Sequence, residues 1–239
     1  MFFLRSANDR GRAHFGWLRS AHTFSFGSYY DPRFNGFSAL RVINDDRVAA
    51  AAGFDTHGHS NMEIISYVLN GTIAHRDSTG NEALLPAGEF QLMSAGRGIQ
   101  HSEFNPSAAE ELHFLQIWIQ PGEQGTEPGY QQKAFARTQA IQPVITPDGR
   151  DGTLTIRQDA VLSHVRLAGE AVSPSLDRTR CYYLHVIHGP VQAVVQGESL
   201  TLNDGDGLAL RDEAELQLSV AETAEALLFD LPGARRPAD

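Results

Sequence analysis

Short β-branched and aromatic runs, each closed by Gly, Pro, Asn or Asp, recur along this 239-residue chain, and helical periodicity is scarce. Short strands of this kind bury a face only by packing against another sheet or closing on themselves, which points to sandwiches or barrels. Candidate strands are 38–44, 62–69, 89–94, 112–119, 154–158, 182–187, 191–195, 207–210, 216–220 and 226–231. An all-β protein is predicted. The stretch 121–152, rich in Gly, Pro and Gln, reads as a linker between two halves.

Those halves repeat each other in punctuation. The first runs YVLNG (67–71), PAGEFQLMSAG (86–96) and LHFLQIWIQP (112–121); the second runs HVIHG (185–189), NDGDGLALRDE (203–213) and ALLFDLP (226–232). Each has a strand closed by Gly, a Gly turn opening a strand, and a late apolar strand ending in Pro. An internal duplication of two stacked β-sandwich domains is expected, 1–130 and 131–239.

Composition narrows the function classes. With 41% hydrophobic and 20% charged residues the chain can bury a core, which excludes disorder as its main state. The net charge of −10 repels phosphate backbones and anionic lipid surfaces, so direct nucleic-acid binding is not expected. Lys133 is the only lysine, so Schiff-base chemistry would have to run through it. Cys181 is the only cysteine and reads as a buried small hydrophobe. Residues 1–15 carry Arg5, Asp9, Arg10 and Arg12 where a signal peptide needs an apolar run, and no apolar run is long enough to span a bilayer. A cytoplasmic protein, monomeric by default, is the expectation.

Five of the ten histidines fall between residues 57 and 113, and two pairs there have metal-ligand spacing: His57-Gly58-His59 and His101-Ser102-Glu103. Residues i and i+2 of a strand share a face, so each pair can present two ligands to one point. Either pair alone is a weak signal. In order, however, the chain reads His-x-His-x3-Glu (57–63), Gly71, Pro-x-Gly (86–88) and His-x3-Asn (101–105).

That order resembles the two cupin motifs. GWLRSAHTFSFGSYYDP (16–32), GFSALRVINDD (36–46), GFDTHGHSNMEIISYVLNG (53–71) and PAGEFQLMSAGRGIQHSEFNPS (86–107) are similar to the pirin family, specifically its bacterial bicupins. The match is dense over about 1–120 and thins beyond DGRDG (148–152). Pirins have Pro between the first two histidines and a basic residue and Asp after them; Gly58, Ser60 and Asn61 stand there in this chain.

The resemblance implies a bicupin of two jelly-roll domains with one divalent transition metal held by His57, His59, His101 and Glu103. Iron heads the expected ions, with zinc, manganese, nickel, copper or cobalt as alternatives. Glu63 is expected either beside the ligands or as a structural residue, without ligating; His75 and His113 are expected to be surface or core histidines and His22 a structural one. Ser175, Asp177 and the stretch 217–221 lie where ligands of the second domain would be, so that domain is expected to be metal-free. The implied activity is quercetin 2,3-dioxygenase-like cleavage of flavonols by dioxygen with release of carbon monoxide. Glu103 would accept the substrate proton, and Phe54, Phe90, Phe104 and Phe114 are candidates for an apolar slot. Two alternatives stand beside it: a redox-responsive metal-binding regulator acting through a protein partner, and a cupin enzyme of different chemistry.

Overall fold

Short apolar runs broken by turn residues make this chain a series of β-strands in the computed structural model, which describes residues 1–136 and 138–233. The first strands are β1 (Phe2–Arg5), β2 (Gly11–His14), β3 (Leu18–His22), β4 (Leu40–Val48), β5 (Gly53–His59) and β6 (Glu63–Asn70). They are followed by β7 (Thr72–Asp77), β8 (Glu82–Pro86), β9 (Glu89–Ser94), β10 (Ile99–Phe104), β11 (Leu112–Ile119), β12 (Gly129–Ala134) and β13 (Ile141–Thr146). The rest are β14 (Leu154–Thr155), β15 (Val161–Ala168), β16 (Cys181–His188), β17 (Val191–Val195), β18 (Glu198–Leu202), β19 (Gly207–Arg211), β20 (Gln217–Ser219) and β21 (Thr223–Leu231). No helix among the described residues is long and apolar enough to cross a membrane.

Residues 11–135 with 154–158 form one compact unit. Its larger sheet runs β12-β9-β6-β11-β4-β3-β2 and its smaller one β5-β10-β7-β8. Leu18, Val48, Val68, Leu112 and Phe114 of the larger sheet pack with Ile73 and Leu85 of the smaller, so the two sheets face each other across an apolar core.

The second unit comprises residues 1–10, 136–153 and the described residues from 159 onward. Its larger sheet runs β1-β19-β16-β21-β15-β13 and its smaller one β18-β17-β20. The core between them is aliphatic, with Leu184, Val186, Val191, Ala193, Leu208, Leu218 and Leu228 in one cluster. The repeated punctuation is visible here as topology: β9-β6-β11-β4 in one unit has the same order as β19-β16-β21-β15 in the other. A counterpart of β5 is reduced to one bridge, Val172 with Leu218.

Unit membership departs from the division at 130/131. β1 joins the second unit, pairing with β19 from Phe2↔Leu210 to Arg5↔Gly207. β12 closes an edge of the first unit by pairing with β9. The expected linker 121–152 therefore carries two strands, β12 paired with β9 and β13 paired with β15. The reason is physical: a polar, glycine-containing segment has little strand propensity of its own, and the unpaired edge of an existing sheet supplies its hydrogen bonds. Residues 137 and 234–239 of the expected second domain lie outside the described residues.

Candidate metal centre

The smaller sheet of the first unit gathers the histidines. β5 and β10 pair antiparallel with His101 opposite His57 and Ile99 opposite His59, and a register shift between His101 and Glu103 puts Glu103 opposite Phe54. On its other side β10 pairs with β7, placing Asp77 opposite His101 and His75 opposite Glu103. Directly opposed residues project to the same face. His57, His59, His75, Asp77, His101 and Glu103 thus share the inner face.

His57, His59 and His101 have potential ligand atoms within 4.8 Å of one another. Their ring centroids are 4.8 Å apart for His57 and His59, 4.5 Å for His57 and His101, and 5.0 Å for His59 and His101. Glu103 falls in a second group of the same 4.8 Å reach, with His75 and His101. His101 belongs to both groups. His75 is buried, as a core histidine is, and it lies against the cluster, 5.6 Å from His101 by ring centroids.

Hydrogen bonds set the ring tautomers. His57 donates from Nδ1 to the carbonyl of Asp55 at 2.7 Å, which leaves Nε2 as a lone pair. His75 faces the Asp77 carboxylate through Nε2 at 3.0 Å, and its Nδ1 has no partner among the described residues. Burial works against the Asp77 charge, yet the bonds from Thr79, His75 and Asn81 outweigh it and hold the carboxyl below the usual range. A carboxylate-oriented imidazole with its other nitrogen bare is the arrangement typical of a histidine that can ligate a metal.

The electrostatics favour neutral imidazoles. Burial, reinforced by the neighbouring histidines, pushes His59 down to about 4 and His101 down to about 3. Both keep a lone pair at neutral pH. His101 is 1% exposed, and neither of its ring nitrogens has a partner among the described residues. A buried polar atom without a partner is costly, so this ring is built for something the protein chain does not supply. Three imidazoles with the Glu103 carboxyl group at hand are a donor set that suits a divalent transition ion.

Glu103 is held from the facing sheet. Ser66 donates to Oε1 at 3.1 Å and Gln91 to Oε1 at 3.5 Å, while Gln116 donates to Oε2 at 3.4 Å. These donors belong to one polar row, in register across five strands of the larger sheet: His22↔Asn44, Asn44↔Gln116, Gln116↔Ser66 and Ser66↔Gln91. Sequence reading missed the row. Its signal was a lone polar residue inside a core strand, Ser66 in EIISYVLN and Gln116 in LHFLQIWI. The Gln116→Leu protein is expected to fold and to bind a divalent ion about tenfold more weakly, since outer partners of metal ligands are typically worth 10- to 100-fold in affinity. Calorimetric titration of metal-free protein measures it.

The remaining candidates lie elsewhere in the network. Glu63 is buried and accepts from Ser94 and from the backbone N–H of Arg157, and burial raises its carboxyl above the ordinary value. His22 bonds Asn44 at 2.8 Å and His113 bonds Asp45 at 2.7 Å. Of the four phenylalanines expected to shape a slot, Phe90 and Phe114 are fully buried core. Phe54 alone of the four lines the cavity beside the cluster, an opening of about 360 Å³ whose other walls include Trp17, Phe26, Asn44, Asp46 and Gln116. Phe54 stands 6.4 Å from His57 and edge-on to Trp17 at 5.1 Å.

Comparison with known proteins gives the family. Residues 4–119 match the Pirin family model and residues 143–231 the quercetinase C-terminal cupin domain. A protein of Escherichia coli (strain K12) named quercetin 2,3-dioxygenase is 50% identical over 233 residues, covering 97% of this chain and 99% of its own length. A pirin-like protein of Caulobacter vibrioides is 41% identical, with 92% and 95% covered. Among solved structures, the bacterial pirin YhhW of Escherichia coli in complex with nickel(II) superposes with a TM-score of 0.92 at 49% identity, covering 98% of this chain and 100% of that one. An Acinetobacter baumannii quercetin 2,3-dioxygenase shares the fold at a TM-score of 0.75 and 18% identity, with 99% and 88% covered. With two cupin units repeated in one chain, this protein belongs to the pirin family and is one of its bacterial bicupins.

Proposed function

We propose that this protein is a metal-dependent dioxygenase that opens flavonols such as quercetin at the 2,3-bond with release of carbon monoxide. The observation that carries the reading is the juxtaposition of the three-imidazole cluster, sharing His101 with Glu103, and an aromatic-walled cavity. The similarity to proteins named quercetin 2,3-dioxygenase supports it.

In this reading His57, His59, His101 and Glu103 hold one divalent transition ion, iron first among the candidates. Bound there, such an ion acts as a Lewis acid toward a substrate hydroxyl and as the redox partner for dioxygen. The chain supplies the rest. Asp55 fixes the ring of His57, and Ser66, Gln91 and Gln116 fix the carboxylate of Glu103. A carboxylate oxygen of Glu103 takes the proton of the flavonol 3-hydroxyl. Trp17, Phe26 and Phe54 keep water from the ring that is cleaved. A cytoplasmic, monomeric protein is part of the same proposal.

The test is aerobic quercetin turnover with carbon monoxide detection, after reconstitution with Fe, Mn, Ni, Cu, Zn and Co in turn. Turnover is expected in at least one form. His57→Ala and Glu103→Gln are each expected to reduce it by about 100-fold or more with the fold retained. One bound ion per chain with no turnover in any form overturns the reading.

A further inference from the structure

We propose that the cavity beside the cluster is a slot for a planar phenolic ring, and that Asp46 on its floor is the specificity residue that bonds a ring hydroxyl. This rests on the flavonol reading and adds to it a ligand chemistry and a residue outside the cluster.

The walls are aromatic: Trp17 and Phe54 meet edge-on at 5.1 Å and 81°, and Phe26 lines the same opening. Packed edge-on against each other, these rings present aromatic surface to the opening, and a planar ring is suited to lie against it. A volume of about 360 Å³ lies within the size of small-ligand sites. Gln116 lines the cavity and donates to Glu103, and Phe54 lines it beside His57, so a ligand in the slot reaches the cluster by one edge.

The floor breaks the apolar pattern. Asp46 lines the cavity and is 1% exposed. Ser20, directly opposite on β3, bonds its carboxyl, while Oδ1 has no partner among the described residues. A hydrocarbon ligand would leave that oxygen unpaired. Burial pushes the Asp46 carboxyl up to about 7, so both of its forms are populated near neutral pH. A hydroxyl both donates and accepts, and therefore satisfies Oδ1 in either form, whereas an ammonium group matches only the carboxylate. A phenol joins that hydroxyl to a flat ring that can lie against the aromatic surface of the walls.

The experiment is binding, read by quenching of tryptophan fluorescence in metal-free protein. The probes are quercetin and flavone, the parent ring system without hydroxyls. Asp46→Leu is expected to raise the Kd for quercetin by about tenfold and to leave that for flavone within about twofold. Asp46→Asn, which keeps an acceptor oxygen and the shape of the side chain, is expected to lose less. Phe54→Ala is expected to weaken both ligands. Thermal unfolding of each variant verifies the fold. Equal losses for both probes in Asp46→Leu, or no loss for quercetin, overturn the proposal. Asp46-dependent binding without turnover by any metal form keeps the slot and removes the dioxygenase reading. Turnover together with unchanged quercetin affinity in both Asp46 variants does the reverse.

Discussion

His101→Ala protein is expected to emerge without a bound divalent ion and to turn quercetin over at least about 100-fold more slowly, while its metal-free form is as stable as the parent. The loss follows from position. His101 is the one residue shared by the His57/His59 group and the Glu103/His75 group, so removing it divides the donor set. The retained stability follows from burial. Both ring nitrogens of His101 lack partners among the described residues, and relief of that unpaired burial offsets the packing lost on truncation to alanine. Elemental analysis of the purified variant and denaturation of both metal-free proteins measure the two halves. A stoichiometric ion in the variant overturns the assignment, and a large destabilisation of the metal-free variant shows that the ring is structural.

Asp46→Asn is expected to stabilise the protein strongly at pH 8 and little at pH 4. Burial is the main cause of the raised Asp46 carboxyl; Ser20 opposes it, and the charges of Asp45 and Glu103 add to it. The sign is set by proton uptake. Asp46 has an ordinary value of 3.8 in the unfolded chain and about 7 in the fold, so between those values folding binds a proton. Stability therefore falls as pH rises from about 4 to about 7, and above that the full penalty remains. Three units correspond to at most about 4 kcal/mol, a large part of a typical domain's stability. Asparagine imitates the protonated form and carries no such term. Urea midpoints of both proteins at pH 4.5 and pH 8 are the measurement, and a difference that does not grow with pH contradicts the buried-carboxyl account.

The residues that locality governs were legible. His57 with His59, and His101 with Glu103, lie two apart on single strands, and a pleat of period two puts each pair on one face whatever the partner strand is. Local too were the turn glycines and prolines that mark the duplication, now visible as the shared order β9-β6-β11-β4 and β19-β16-β21-β15. What pairing across strands decides was not legible. His75 and Asp77 come against His101 and Glu103 only through the register of β7 with β10. The row Asn44, Gln116, Ser66 and Gln91 exists only because four strands distant in sequence align one polar position each.

By itself, then, the sequence determined an all-β chain, its duplicated order and the shared face of each local pair, His57 with His59 and His101 with Glu103, because hydrophobic period and turn chemistry act over a few residues. Tertiary structure alone decided that β1 completes the second unit, that 121–152 carries two strands, and that Trp17 and Phe26 wall the cavity. Each of these depends on which backbone edge or apolar face remains free once the rest of the sheets have formed, and that is a property of the assembled fold.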